Sequence, residues 1–196
     1  MAALSDFRPK IIGHVPGCPE FLIEDAARDA AREYCKDTWV WQDGAGENEE
    51  IEVDPYEEQT VYDLTNEDDA VIIAVSAVLR NGTPMKPGIE YARAVKDARL
   101  VLSSPLSASD EVEVKRVHRP SATAAVIPDF LLEDHAGGIA NKAIASLLTM
   151  AAKPWTDASK AMYHEGLYLA AVSEARAAAI KGGTNQSLAV YPRKFG

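Results

Sequence analysis

The residues able to do chemistry are few and scattered along the chain. The four histidines are His14, His118, His135 and His164. His135 follows Glu133 and Asp134, which raises the question of a metal site. No second histidine stands four residues on, so a zinc helix of the HExxH type is excluded. The chain contains no GxGxxG, GxxxxGK[ST] or GxSxG pattern, which removes the common dinucleotide, phosphate-loop and nucleophile-elbow signatures. Cys18 and Cys35 lack metal-ligand spacing and are most simply free thiols, with a disulfide as the lesser alternative. Cys35 falls late in an expected helix, far from the N-terminus that would lower its pKa, so an inert buried thiol is expected. Glu49-Glu50 and Asp68-Asp69 are adjacent carboxylates, a pattern common in acidic loops. No catalytic residue, metal or cofactor is therefore expected, and the chain reads as a non-enzyme.

The aromatic residues could instead line a cleft. Trp39 and Trp41 would share one face of a strand, and Trp155 sits in Lys153-Pro154-Trp155-Thr156-Asp157, an expected corner between helices. With 32 alanines in 196 residues, large core side chains are scarce. Tyr34, Trp39 and Trp155 are therefore expected to fill a small core rather than to stack on a ligand.

Three segments must position these side chains. After the turn Pro16-Gly17-Cys18-Pro19, Glu20 to about Asp37 has helical periodicity, with Pro19 expected at the first helical position. Ile23, Ala27, Ala30 and Tyr34 trace the apolar face, opposite charges that include the pairs Asp25–Arg28 and Asp29–Arg32. From Thr38 to about Val126 the pattern is mostly β. Trp39-Val40-Trp41 reads as a short aromatic strand, and Gln59–Leu64 and Ala70–Arg80 as further strands. Asn81-Gly82 is a strong hairpin signal. Ile89–Val95 with Ala98–Leu102 reads as another pair, and Glu111–Val117 alternates. Helix returns at Pro128-Asp129 and ends at Lys153-Pro154, with Gly137-Gly138 marking either an interruption or a close approach. Thr156 is expected to cap a last helix that runs to about Ile180 and closes at Gly182-Gly183.

The expected fold is α+β: a helical bundle from the N- and C-terminal helices, an inserted small antiparallel β domain and an extended C-terminal tail. The expected division is a helical core of 1–38 and 127–183, a β-rich insertion of 39–126 and a docking arm of 184–196. The arm is short, basic and aromatic. It ends Tyr191-Pro192-Arg193-Lys194-Phe195-Gly196, and such a segment needs a partner groove to bury its rings.

Charge separates partner classes. The formal net charge is -10, from 30 acidic and 20 basic residues, which argues against general phosphate binding. From Asp37 to Leu79 there are 13 acidic residues and no Lys or Arg, whereas no acid follows Glu174. An acidic lobe and a basic tail on one chain suggest docking between copies or partners, or repulsion of DNA. No apolar run is long enough for a transmembrane helix, and Met1–Asp6 does not open a signal peptide.

The two ends of the chain also carry a resemblance. One end has Val15-Pro16-Gly17-Cys18-Pro19, then a helix with Asp25 through Cys35, then Thr38-Trp39-Val40-Trp41. The other has Ile127-Pro128-Asp129-Phe130, Lys153-Pro154-Trp155-Thr156-Asp157, a helix with Tyr163, Tyr168 and Ala175-Arg176-Ala177, and the closing Tyr191–Phe195. In this order they resemble head-to-tail adaptors of tailed bacteriophages, also called connector, neck or tail tubular proteins. The resemblance spans roughly residues 11–41 and 126–196. It implies a structural virion protein forming a ring with itself, usually of twelve copies, between the portal protein and a tail or nozzle protein. Genomic DNA would pass through the channel without sequence-specific binding. Assembly would take place in the host cytoplasm, and no membrane is involved. Tyr191, Arg193, Lys194 and Phe195 would belong to the arm that enters the portal. The alternatives are another neck or tail-completion protein, a small acidic enzyme with a dispersed site, or a bacterial binding module.

Overall fold

The computed structural model describes residues 1–43, 49–50, 60–64, 66, 69–94, 98–107 and 109–180. The chain starts with a two-residue strand, β1 (Ala2–Ala3), a 3-10 turn and a short helix, α1 (Arg8–Ile11). Pro9 lies in the first turn of α1, where its missing N–H costs nothing. The long helix α2 (Glu20–Thr38) follows. Pro19 is its N-cap, one place earlier than expected, with extended backbone at φ −60° and ψ 141°. Ile23, Ala27, Ala30, Ala31, Tyr34 and Cys35 are buried along one side. The opposite side carries the Asp25–Arg28 and Asp29–Arg32 pairs at 2.6 and 3.2 Å.

The strands are β2 (Glu49–Glu50), β3 (Val61–Asp63), β4 (Ala70–Arg80), β5 (Thr83–Pro84), β6 (Tyr91–Ala94), β7 (Arg99–Leu102), β8 (Val112–Pro120) and β9 (Val126–Ile127). Asn81 and Gly82 join β4 to β5 with φ of 52° and 72°, the two positive values that a type I′ hairpin requires. β4 pairs antiparallel with β8, and register shifts at Ile73 and Ser76 fit the longer strand to the shorter. Three helices follow among the described residues: α3 (Asp129–Glu133), α4 (Ala136–Leu148) and α5 (Ala158–Ile180).

Segregated helices and antiparallel strands make this an α+β chain. The finer expectation of one small inserted β domain is corrected. Among the described residues the strands form three sheets, ordered β1-β9, β2-β8-β4-β5 and β3-β7-β6. The first joins the start of the chain to the approach to α3, pairing Ala2 with Ile127. Nor is the β region set apart from the helices. β8 contributes Val112 and Val114 to the apolar core of the sheets, yet it also packs on α2. A strand shared in this way buries area that two separate lobes would leave wet. The expected extended tail and docking arm, 184–196, lies outside the described residues, as do the Gly182-Gly183 cap and Asp68.

Three local expectations are also corrected. Trp39-Val40-Trp41 is not a strand: Trp39 is the C-cap of α2, left-handed at φ 59°, and its N–H bonds to the Cys35 carbonyl at 2.9 Å. Helix termination outweighs aromatic β-propensity there, at a strain of roughly 1–2 kcal/mol. Asp157, not Thr156, caps α5, accepting the Lys160 N–H on Oδ1 at 3.0 Å. Thr156 instead closes the preceding corner, accepting from the Lys153 N–H and donating to the Met150 carbonyl.

The third concerns Gly137 and Gly138, which lie within α4; the helical run breaks earlier, at Asp134 and His135. Gly138 marks a close approach. A Cβ there would lie 2.6 Å from Tyr34 Cε2 and 3.1 Å from Ala171 Cβ. The Tyr34 ring cannot easily yield, being buried and hydrogen-bonded through its hydroxyl to His135 Nδ1 at 3.1 Å. Gly138→Ala should thus destabilise the protein by about 1–3 kcal/mol, although alanine favours helix. At Gly137 a Cβ would meet nothing within 4 Å, so Gly137→Ala should be neutral or mildly stabilising. Urea denaturation of the pair checks the contrast; equal midpoints would mean that Tyr34 has room to move.

Candidate interaction surface

The helical core is stitched by polar contacts as well as by packing. The Tyr168 hydroxyl on α5 donates to Asp37 Oδ2 on α2 at 2.7 Å. Lys142 on α4 reaches Glu33 on α2 at 2.9 Å and Glu165 on α5 at 3.0 Å, and lies 4.8 Å from the Tyr168 ring centre. Burial tends to lower the Lys142 pKa, but these two carboxylates raise it overall. Burial holds the Tyr34 hydroxyl and the Cys35 thiol neutral, each with its pKa pushed up to about 12. His135 is pushed below its ordinary value by burial and packs against Tyr34 and Phe130.

A buried ionic cluster fastens the segment after α2 to β8. Asp43 Oδ2 accepts from Arg116 Nε and from the Arg116 backbone N–H, both at 2.8 Å. Asp43 Oδ1 lies 2.7 Å from His118 Nε2, which donates to the carboxylate. Backbone bonds run alongside, from the Asp43 N–H to the Arg116 carbonyl at 3.1 Å and from the His118 N–H to the Trp41 carbonyl at 2.8 Å. Burial works to raise the Asp43 pKa, but the hydrogen bonds from Arg116 and His118 outweigh it and hold the carboxyl below its ordinary range. An aspartate beside a histidine can orient a catalytic base. Here both oxygens of the carboxylate are engaged, all three side chains are buried, and Trp41 covers His118 at 5.6 Å between ring centres. The arrangement serves as a structural tie. Among the described residues no group of three His, Cys, Asp or Glu side chains could hold a metal.

What remains is surface. A groove of about 440 Å³ lies between the ends of α2 and α5 and β4, with Trp39, Gln42, Ser76 and Arg176 among its walls. Arg176 Nε donates to the Asp37 carbonyl and so fixes the floor of the groove. Trp39 is 44% exposed at its edge.

The outer side of α5 is more unusual. Its inner side buries Ala161, His164, Tyr168, Val172 and Ala175, at the spacing of a helix packed on a core. Its outer side presents Met162 at 72%, Tyr163 at 65% and Leu169 at 58% exposure, where α2 presents charges. Gly166 stands at the middle of that outer side, and a Cβ there would meet nothing within 4 Å. Glycine inside a helix costs about 0.5–1 kcal/mol relative to alanine, and the packing of a single chain gives Gly166 no reason to be there.

The residues singled out from sequence fall in different places. Tyr34 and Trp155 are buried in the helical core; Trp39 is not a core residue, because its left-handed cap turns the chain away at the surface. Tyr191, Arg193, Lys194 and Phe195 lie outside the described residues. Sequence reasoning passed over the Asp43 cluster and the outer face of α5. The first leaves a partial signal, because Arg116 and His118 alternate in phase with Val112 and Val114 on β8. The second shows in the apolar residues Met162, Tyr163, Leu167 and Leu169 at outward positions of α5. No helix among the described residues is long and apolar enough to cross a membrane. Comparison of the sequence with protein-family models and with curated proteins finds no match.

Proposed function

We propose that this chain is a structural adaptor between the head and the tail of a bacteriophage particle, forming a ring on the portal through which DNA passes. The observation that carries this reading is the order of the motif-bearing segments at the two ends of the chain, together with the body they build. Tyr34 from one segment and Tyr168 from the other meet edge to face at 6.2 Å, in a core that also holds Trp155. A body of this kind keeps the helices in register, and the basic, aromatic residues 184–196 would supply the contact with a partner. The acidic stretch 37–79 would either line the channel and repel DNA or face a basic tail protein.

The arm supplies the test. Deleting residues 184–196 should leave the helical circular-dichroism signal and the melting temperature unchanged and abolish co-purification with the portal protein of the same genome. A truncated chain that still joins the portal would remove the arm from the docking role. A full-length chain that ignores the portal would contradict the adaptor assignment itself.

A further inference from the structure

We infer that Arg32 on α2 and Arg119 on β8 together form a binding site for one phosphate group, at the seam where the helix packs on the sheet. α2 and β8 are in direct contact. Arg28 Nε donates to the Ala124 carbonyl at 2.8 Å, which seats α2 against the chain just beyond β8. Arg32 lies one turn further along the helix. Arg119 is the next-to-last residue of β8, opposite Val71 of β4.

Arg119 is a half-buried cation that the fold leaves without an anion. Arg8, Arg28, Arg32, Arg80 and Arg116, the other buried or half-buried arginines among the described residues, each lie within 3.2 Å of a carboxylate oxygen. Among the described residues no carboxylate pairs with Arg119, and its Nε is buried without a hydrogen-bond partner. Its charged neighbour is instead a second cation. Burial, and then the Arg32 charge, hold Arg119 below the ordinary arginine range. Arg32 Nε is likewise buried and unpartnered, although its Nη1 reaches Asp29 at 3.2 Å. A chain with 30 acids and 20 bases does not lack carboxylates to put there. Two neighbouring cations with unused donors oppose folding until an anion comes between them.

The donors select the anion. Arginine cannot escape repulsion by losing its proton, and its planar fork matches the paired oxygens of an oxyanion. A carboxylate fills a single fork. A phosphate group carries about two charges near pH 7 and has oxygens for both guanidiniums. A nucleic-acid strand fits worse, because Asp25 and Asp29 flank the site at 57% and 74% exposure and repel the phosphates on either side. The ligand is therefore a discrete phosphate. Once bound, it ties α2 to β8 and stabilises the folded chain by mass action. The site is independent of the adaptor reading.

Phosphorus NMR of inorganic phosphate titrated with the full chain tests this, using wild type, Arg119→Gln and Arg32→Gln. Wild type should bind phosphate saturably, and each variant at least ~10-fold more weakly, the effect of losing one charge-assisted hydrogen bond. Thermal melts in chloride and in phosphate at equal ionic strength supply the second readout. In chloride, Arg119→Gln should melt no lower than wild type, because it removes an unpaired and repelled charge. In phosphate, wild type should gain stability beyond the general salt effect that all three chains share. Acetate at the same concentration should give no such gain. Wild type that binds no phosphate, or an Arg119→Gln variant that binds it as well, would overturn the inference. So would a lower melting temperature for that variant in chloride, since the fold would then already satisfy Arg119. Equal protection by acetate, or binding of a duplex oligonucleotide where inorganic phosphate fails to bind, would overturn the assignment to a discrete phosphate.

Discussion

Asp43→Ala is expected to destabilise the protein by about 3–5 kcal/mol, because it removes the buried carboxylate that pairs with Arg116 and His118. His118 loses its acceptor in the same step, although its Nδ1 is already buried without a hydrogen-bond partner. The surface pair Asp63–Arg99 has a similar separation of 2.7 Å, but both side chains are exposed, so Asp63→Ala should cost no more than about 1 kcal/mol. Burial, not distance, decides between the two. The carboxyl of Asp43 titrates below its ordinary range in the folded protein, so its contribution is complete above the unfolded value of about 4 and is lost as the pH falls through the folded value. Urea midpoints measured from pH 7 downward should show the gap between wild type and Asp43→Ala narrowing on acidification. A gap absent at pH 7 would mean that the cluster is wet and contributes little.

Trp155→Ala is expected to cost about 3–5 kcal/mol, since this side chain is only 7% exposed and fills the corner between α4 and α5. The surrounding corner cannot collapse freely. The Asp157 N–H bonds to the Leu148 carbonyl at 3.0 Å, and Thr156 spans Met150 to Lys153. Trp155→Phe should cost much less than alanine. It keeps most of the apolar volume and removes an indole N–H that is buried without a partner, a group whose desolvation costs roughly 1–3 kcal/mol. Thermal melts of both variants check this ordering, and equal losses would mean that the indole N–H is satisfied by water.

Features set by local chemistry were the ones legible in sequence. Asn81-Gly82 accepts two positive φ values, so the hairpin between β4 and β5 could be placed from two residues. The apolar spacing of Ile23, Ala27, Ala30 and Tyr34 likewise located the buried side of α2. Features that depend on a distant partner were not. Trp39 has the aromatic character of a strand residue, but the end of α2 needs a left-handed cap there. The glycines of α4 look like a helix break, yet Gly138 is required by the Tyr34 ring, which lies over a hundred positions away in sequence. The acid for Arg116 and His118 comes from Asp43, and no local periodicity encodes that return. For the surface the limit was of another kind. The outward residues of α5 can be read from a helical wheel, but their exposure is known only once the core has been assembled on the other side.

The adaptor reading makes the mass of the portal complex its most direct measurement. Portal protein of the same genome, purified alone and then with an excess of this chain, should gain mass in a discrete step corresponding to a whole ring of 21.2 kDa subunits, up to one per portal subunit. Electron micrographs of the same sample should show an added tier at one end of the portal. A portal whose mass does not change in the presence of excess chain would contradict the account.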